Sequence, residues 1–294
     1  MSDVRLLEHV HPDRDAQAAF DGLVGIDLHK EDLLDELALL LGGQALTAWQ
    51  ARHHPGGLAL AVRLRKSGRL VLLEGEVGTG KSALAAAIGT PLAHALDRRV
   101  VTLETPSDLR GWGHVGEMSA RITAAFEQAR RRARDVGAGL LIIDEADDVA
   151  TSRSQMQAHH EDRAGLNVLI KQIDELSRTS DPMAVILITN RALALDPAVV
   201  RRTALRLTFE RPDGPARAAV FRQLLVGIDV TKEDVDRLAE ASEHETPYTY
   251  SDLVDRLARV VLRAARRRDR AVTVDLVAEC LGHLQPTPLM GGKP

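Results

Sequence analysis

The segment Gly75–Ser82, "GEVGTGKS", decides how this 294-residue chain is read. It follows a short apolar run, "RLVLLEG", and opens an alanine-rich stretch, "SALAAAIGTPLAHAL", so it lies where a strand gives way to a helix. In that context GxxxxGK[ST] has a mechanical meaning. Gly78 and Gly80 let the backbone wrap a phosphate chain with its amides turned inward, and the start of the helix adds the positive end of its dipole. Lys81 is placed for the β and γ phosphates and the Ser82 hydroxyl for Mg²⁺. A glycine turn without function could share the pattern, and the residues downstream separate the two.

Asp144 lies 63 residues past Lys81 (144 minus 81), in "LLIIDEADD", where a second apolar run ends in paired acids. At a strand tip beside a phosphate loop, Asp144 would hold Mg²⁺ through water, and Glu145 would align and deprotonate an attacking water. Acids after a strand also cap helices, an ordinary role that suits Asp147 and Asp148. A third run, "VILITN", ends in Asn190, a neutral donor and acceptor able to orient the same water. Polar ends of neighbouring parallel strands converge on one crevice, so together they point to a nucleoside triphosphate hydrolase.

The rest of the chain supplies the frame. From Arg69 on, short apolar runs alternate with helical patterns, implying an α/β fold with a mainly parallel sheet buried on both faces. After "ERPDG" the strand runs cease. Four helical patterns follow at 215–227, 231–242, 249–268 and 273–284, with Thr231/Asp234 and Thr249/Asp252 as helix starts. The expected division is an N-terminal arm and helical linker at 1–55, a large α/β nucleotide-hydrolysing domain at 56–211 and a small helical domain at 212–294, with residues 1 to 19 a mobile arm.

Composition narrows the function class. The net charge of −4 lacks the basic excess of a duplex binder, and 32 of the 38 basic residues are arginine, as GC-rich coding would give. A single cysteine, Cys280, excludes an internal disulfide. The first residues lack the apolar run of a signal peptide, and "LLDELALLL" is too short and too charged to span a bilayer, so a soluble cytoplasmic protein is expected. The histidine pairs His9/His11 and His159/His160 lack the further ligands of a closed zinc site and are expected at the surface.

"GEVGTGKS", "LLIIDE" and the Asn190 of "ITN", in this order and spacing, resemble the Walker A, Walker B and sensor-1 motifs of the AAA+ ATPases, from about Phe20 to Leu284. That resemblance implies a P-loop fold with five parallel strands in the order 5-1-4-3-2, a C-terminal helical lid, and ATP with Mg²⁺ bound between subunits of a ring, usually a hexamer. It implies ATP contacts from Gly75, Glu76, Val77, Gly78, Thr79, Gly80, Lys81, Ser82 and Ala83, with backbone near Val24, Gly25 and Ile26 against the adenine. "LDPAVVRRTALRLTFERPD" is similar to the arginine-finger region, where Arg202 aligns best and Arg201 is the alternative. The lid departs from the pattern: where many members carry a sensor-2 arginine, this chain has Ser251-Asp252, with Arg256 one turn later.

A chain only 3% aromatic sets one of its two tryptophans between glycines, in "LRGWGHVGEMSARI". In threading members of the family this place holds a loop that lines the central channel, which implies that Trp112, His114 and Val115 grip an extended peptide, with Trp112 and His114 both open as the principal contact. The stretches "RGWGHVGEMSARITAAFEQARRRA" and "HEDRAGLNVLIKQIDELSRTSDPMAVILITNRALALDPAVVRRTAL" are similar to the pachytene-checkpoint ATPases. Those act on HORMA-domain proteins, and bacterial relatives serve in antiphage CBASS systems, so the resemblance implies a remodeller of a HORMA-domain partner in antiviral defence. An AAA+ ATPase that acts on DNA is the competing class. Its support would be "ARRRARD" and "RAARRRDR", but both lie on helical patterns with acidic neighbours, as solvated faces do.

Overall fold

The computed structural model of the chain describes residues 4–64, 68–107, 109, 116–151 and 160–289, so Trp112, His114 and Val115 lie outside the described residues. Among the described residues six strands form one sheet: β1 (Leu7–His11), β2 (Leu70–Gly75), β3 (Val100–Glu104), β4 (Ala138–Ile143), β5 (Met183–Thr189) and β6 (Thr203–Phe209). Their order is β1-β3-β4-β5-β2-β6, which from β6 to β3 is the expected 5-1-4-3-2 order. The pairs β2/β5, β3/β4 and β4/β5 are parallel, with registers such as Leu72 opposite Leu187 and Leu141 opposite Val185.

The apolar runs explain the sheet. Every residue of β4 and β5 is buried, because helices cover both faces and leave no solvated side for polar residues to occupy. Leu72, Leu103, Leu141 and Leu187 pack with Ile122, Phe126 and Ala129 of the helix Glu117–Val136 and with Leu166, Leu169 and Ile173 of the helix His160–Leu176. The alternate residues Val71, Leu73, Leu140, Ile142 and Ile186 point to the opposite face and are equally buried. Leu33, Leu37, Leu84, Ile88 and Leu92 contribute further fully buried leucine and isoleucine side chains from helices.

The first residues do not form the expected mobile arm. Strand β1 adds to the edge of the sheet antiparallel to β3, with His9 opposite Thr102, and makes the sheet mixed. Val4 and Leu6 enter the main core, and Glu8 accepts from Arg132 Nε at 2.9 Å. His11, expected at the surface, is only 2% exposed and shares hydrogen bonds with the hydroxyls of Thr90 at 2.9 Å and Thr102 at 3.1 Å. Its ring lies against Gly89, where a Cβ would come within 2.3 Å of the imidazole. Burial pushes the His11 pKa below its ordinary value, which keeps the ring neutral beside two hydroxyls.

The chain divides into two compact units, one of Met1–Phe20, Leu28–Glu74 and Ser82–Thr208, the other of Asp21–Asp27, Gly75–Lys81 and Phe209–Pro294. The second unit is a helical cluster around Phe221, Leu238, Tyr248, Leu253, Leu257 and Leu281. Its helices are Gly214–Leu224, Lys232–Ala241, Ala258–Arg267 and Val274–Gly282, with a π-helical turn at Asp252–Leu257 leading into the third. Thr231 and Asp234 form a reciprocal capping box. Thr249 and Asp252 exchange the same pair of bonds, each 3.0 Å long.

Asp252 is wholly buried. Burial would raise its pKa, but hydrogen bonds from the Thr287 and Thr249 amides, the Thr287 hydroxyl and Arg256 outweigh it and bring the carboxyl down to about 2. A folded-state value below the ordinary 3.8 gives stability that is complete above about pH 4 and is lost as the pH falls through 2. Asp252→Asn is therefore expected to lower unfolding free energy by about 2 kcal/mol at pH 7, and by roughly half that at pH 3. Denaturant titrations at both pH values check it, and a deficit of equal size at both would contradict the assignment.

Candidate active site

The phosphate loop leaves β2 through Gly75, whose φ is +134°, and continues through Gly78 at +74° and Gly80 at +98°. Gly75 has no room for a side chain, since a Cβ there would lie 2.1 Å from the Phe209 carbonyl oxygen. The loop closes around Lys81, whose side chain is buried and whose Nζ donates to the carbonyls of Gly75, at 2.9 Å, and Glu76. Thr79 Oγ1 donates to the Glu76 carbonyl at 2.7 Å and tightens the same turn. A dry cation is thus held at the centre of a ring of backbone by weakly bound neutral acceptors, the arrangement in which an anion competes best for it.

Two segments brace this loop. The Ser251 amide donates to the Gly78 carbonyl at 3.1 Å, and the Tyr250 hydroxyl donates to the Gly25 carbonyl at 2.8 Å. Gly25 is itself left-handed, with φ at +77°, and Tyr250 presses on the place where its side chain would be. Burial, then Asp213 and Asp27, push the Tyr250 pKa up to about 12, so the hydroxyl stays a donor. Val24 packs on the helical cluster, and Ile26 is buried with its Cδ1 beside Gly80, so the segment expected at the adenine runs alongside the phosphate loop.

In the first unit, Ser82 and Asp144, 62 residues apart in sequence, meet through a 2.6 Å bond from Ser82 Oγ to Asp144 Oδ2. Ser82 and Ala83 are exposed in the first turn of the helix Lys81–Ala87. The other oxygen of Asp144 accepts from the Glu145 amide at 2.8 Å. Glu145 is exposed and sits at φ +50°, a left-handed conformation uncommon for a glutamate. The turn is locked from behind, where the Ala146 amide donates to the Ile188 carbonyl of β5 at 2.8 Å. Asp97 and Asp269 share this conformation, but of the three only Glu145 lies next to the Ser82–Asp144 pair.

Asp147 does more than the helix capping expected of it. The helix Asp147–Ala150 begins at Ala146 without a side-chain cap. Asp147 instead accepts from Thr189 Oγ1 at 2.8 Å, while Thr189 accepts from the Arg191 amide at 2.9 Å. This pair ties the end of β5, and with it the half-buried Asn190, to the Asp144-Glu145 turn. Further along, Arg202 donates to both oxygens of Asp174, with Nη2 to Oδ2 at 2.9 Å, and to the Ala198 carbonyl at 2.7 Å. The neighbouring Arg201 is exposed. Neither Asp147 nor Asp174 carries a motif; both are visible only once strands and helices distant in sequence are packed.

Several arginines of the basic runs proposed for a DNA-binding alternative are paired with acids. Arg130, Arg132 and Arg134 pair with Asp181, Glu175, Glu8 or Asp135, and Arg268 pairs with Glu279. Among the described residues no cluster of histidine, cysteine, aspartate or glutamate could hold a metal by itself, and no helix is long and apolar enough to cross a membrane. Within the phosphate loop the left-handed glycines and the buried amine suit a polyphosphate, and in the first unit the Ser82–Asp144 hydroxyl-carboxylate pair suits a divalent cation.

Sheet order and loop together define a nucleoside triphosphatase of the P-loop class. Residues 71–211 match the ATPase family associated with various cellular activities (AAA), and the chain belongs to that family. It is 36% identical over 289 residues to CD-NTase-associated protein 6 of Escherichia coli (strain MS 115-1), covering 94% of this chain and 93% of the relative. Among solved structures it is similar to one of a HORMA:CdnC:Trip13 complex from E. coli MS115-1, with a TM-score of 0.88, 36% identity and coverage of 96% of this chain and 97% of the other. A Rhizobiales Trip13 structure aligns with a TM-score of 0.76 at 33% identity, over 96% of this chain and 99% of the other.

Proposed function

We propose that this chain is an ATP-hydrolysing ring subunit that remodels a HORMA-domain partner by threading it through the ring's pore in a CBASS antiphage system. The observation that carries the reading is the Ser82–Asp144 bond beside a strained, exposed Glu145. Residues 56–211 serve as the ATPase domain, 212–294 as a lid and 1–55 as arm and linker. ATP is held by Gly75–Ala83, with Val24–Ile26 against the base. Ser82 and Asp144 carry Mg²⁺, which when bound supplies positive charge to the phosphates. Glu145 takes the proton of the attacking water and Asn190 orients that water. The partner assignment is supported by the HORMA protein present in the solved complex of the E. coli relative, and the ring is the family's usual hexamer, at work in the cytoplasm.

Glu145→Gln tests the chemistry. It keeps the shape of the side chain but removes the base, so ATP is retained while turnover falls by about a hundredfold or more. Turnover within about twofold of wild type would remove Glu145 from the role.

Arg202 is the arginine finger of the proposed ring, aimed by Asp174 toward the neighbouring subunit. A second reading has its own support: both edges of the Arg202 guanidinium are engaged, whereas Arg201 is exposed. Arg202→Ala is expected to abolish hydrolysis with ATP binding intact and Arg201→Ala to retain hydrolysis. Steady-state rates with the reverse pattern would move the finger to Arg201.

For the channel, Trp112→Ala is expected to leave basal ATPase activity within about twofold and to eliminate conversion of a HORMA-domain protein between its closed and open forms. Stimulation of the wild-type ATPase by single-stranded or duplex DNA, with none by the HORMA protein, would overturn the partner assignment.

A further inference from the structure

The phosphate loop contains a residue of the wrong sign. Glu76 places a carboxylate on a loop that is read as wrapping a polyphosphate, where an uncompensated negative charge repels the ligand. In the structure that charge is taken up by Arg211, 135 residues away in sequence, whose Nε donates to Glu76 Oε2 at 2.6 Å. The Arg211 side chain is only 7% exposed and the Glu76 side chain 30% exposed, so the pair is partly shielded from solvent. Glu76 occupies a variable position of GxxxxGK[ST], so the motif does not ask for its charge.

Arg211 is in turn held by backbone. Its Nη1 donates to the carbonyls of Pro247 at 2.5 Å and Thr287 at 2.7 Å, and its Nη2 to the carbonyl of Pro288 at 3.0 Å. Thr287 is anchored by Asp252, through its amide at 3.0 Å and its hydroxyl at 2.7 Å. A buried carboxylate therefore fixes the segment Thr287–Pro288, that segment fixes a guanidinium, and the guanidinium fixes the acidic residue of the phosphate loop.

We propose that Arg211 is a positioning residue for nucleotide binding, which neutralises Glu76 and holds its carboxylate out of the phosphate path, with the C-terminal segment Thr287–Pro288 as its brace. The proposal rests on the reading of Gly75–Ser82 as the ATP loop. Its distinctive consequence is that the need for a cation at position 211 disappears when Glu76 loses its charge. A purely structural role for Arg211 would persist in both backgrounds.

The test is equilibrium binding of a non-hydrolysable ATP analogue to the full chain at low and at physiological salt, with melting of each nucleotide-free variant measured in parallel. Arg211→Gln, which can still bond the carbonyls, is expected to weaken binding about tenfold, more at low salt than at high. Arg211→Lys, which keeps the charge, is expected to stay within about threefold of wild type. The double variant Glu76→Gln/Arg211→Gln is expected to recover to within about threefold of Glu76→Gln alone. Unchanged affinity in Arg211→Gln would overturn the proposal, as would a double variant no tighter than Arg211→Gln. If Arg211→Gln does not fold, Arg211→Lys decides, because a tenfold loss despite retained charge means that geometry and not neutralisation matters. Failure of the wild-type chain to bind the analogue would instead reject the ATP-loop reading itself.

Discussion

A backbone that must leave a buried strand, reverse around an anion and begin a helix within a few residues leaves little freedom anywhere near it. Gly75 meets this constraint first: its Cα lies so close to the Phe209 carbonyl that a Cβ would intrude to 2.1 Å. That close approach fixes where the end of β6 runs relative to the loop. The positive φ values of Gly78 and Gly80 then turn the chain so that Lys81 is enclosed by carbonyl oxygens of its own loop. Each carbonyl that turns toward the lysine leaves amides for an incoming phosphate, so one geometric requirement creates both the cation and the donors around it.

The central sheet was legible because of its burial on both faces. Runs such as "LLII" and "VILIT" have no polar alternation to confuse them with surface strands, and the glycine-lysine loop orders the strands once the family pattern is noted. Strand β1 was illegible for the opposite reason. It is an edge strand with Glu8 and His9 among its five residues, and its hold on the protein comes from Val4, Leu6 and the hydroxyl partners of His11. None of these produces a local signal. The π-helical turn at Asp252–Leu257 is similarly silent, since its period differs from that of an α-helix by less than one residue per turn.

In the candidate site, the residues that could be named in advance are those whose role depends on position along one element: a serine opening a helix, an acid at a strand tip, an asparagine ending the next strand. Ser82 and Asp144 meet as that logic implies. The supporting residues are fixed by tertiary pairing instead. Asp147 reaches Thr189 across 42 residues, Asp174 reaches Arg202 across 28, and Glu76 reaches Arg211 across 135. An aspartate that caps a helix and one that clamps a neighbouring strand have the same sequence neighbourhood, so Asp147 reads as a cap until β4 and β5 are placed side by side.

In the C-terminal helical region a missing side chain changes the way a loop can be sensed. Where many AAA+ proteins direct a sensor-2 arginine at the nucleotide, Asp252 is turned inward to serve Thr287, and Arg256 is drawn to the same carboxylate and to the Thr287 hydroxyl. With these charges committed to the C-terminal segment, Ser251 and Tyr250 engage main chain instead, the Ser251 amide on the Gly78 carbonyl and the Tyr250 hydroxyl on the Gly25 carbonyl. Both are hydrogen bonds to main chain, short in reach and sensitive to the orientation of a peptide plane. A rotation of the Gly78 or Gly25 peptide on nucleotide binding would therefore be felt at the start of the π-helical turn without any charged side chain crossing the distance.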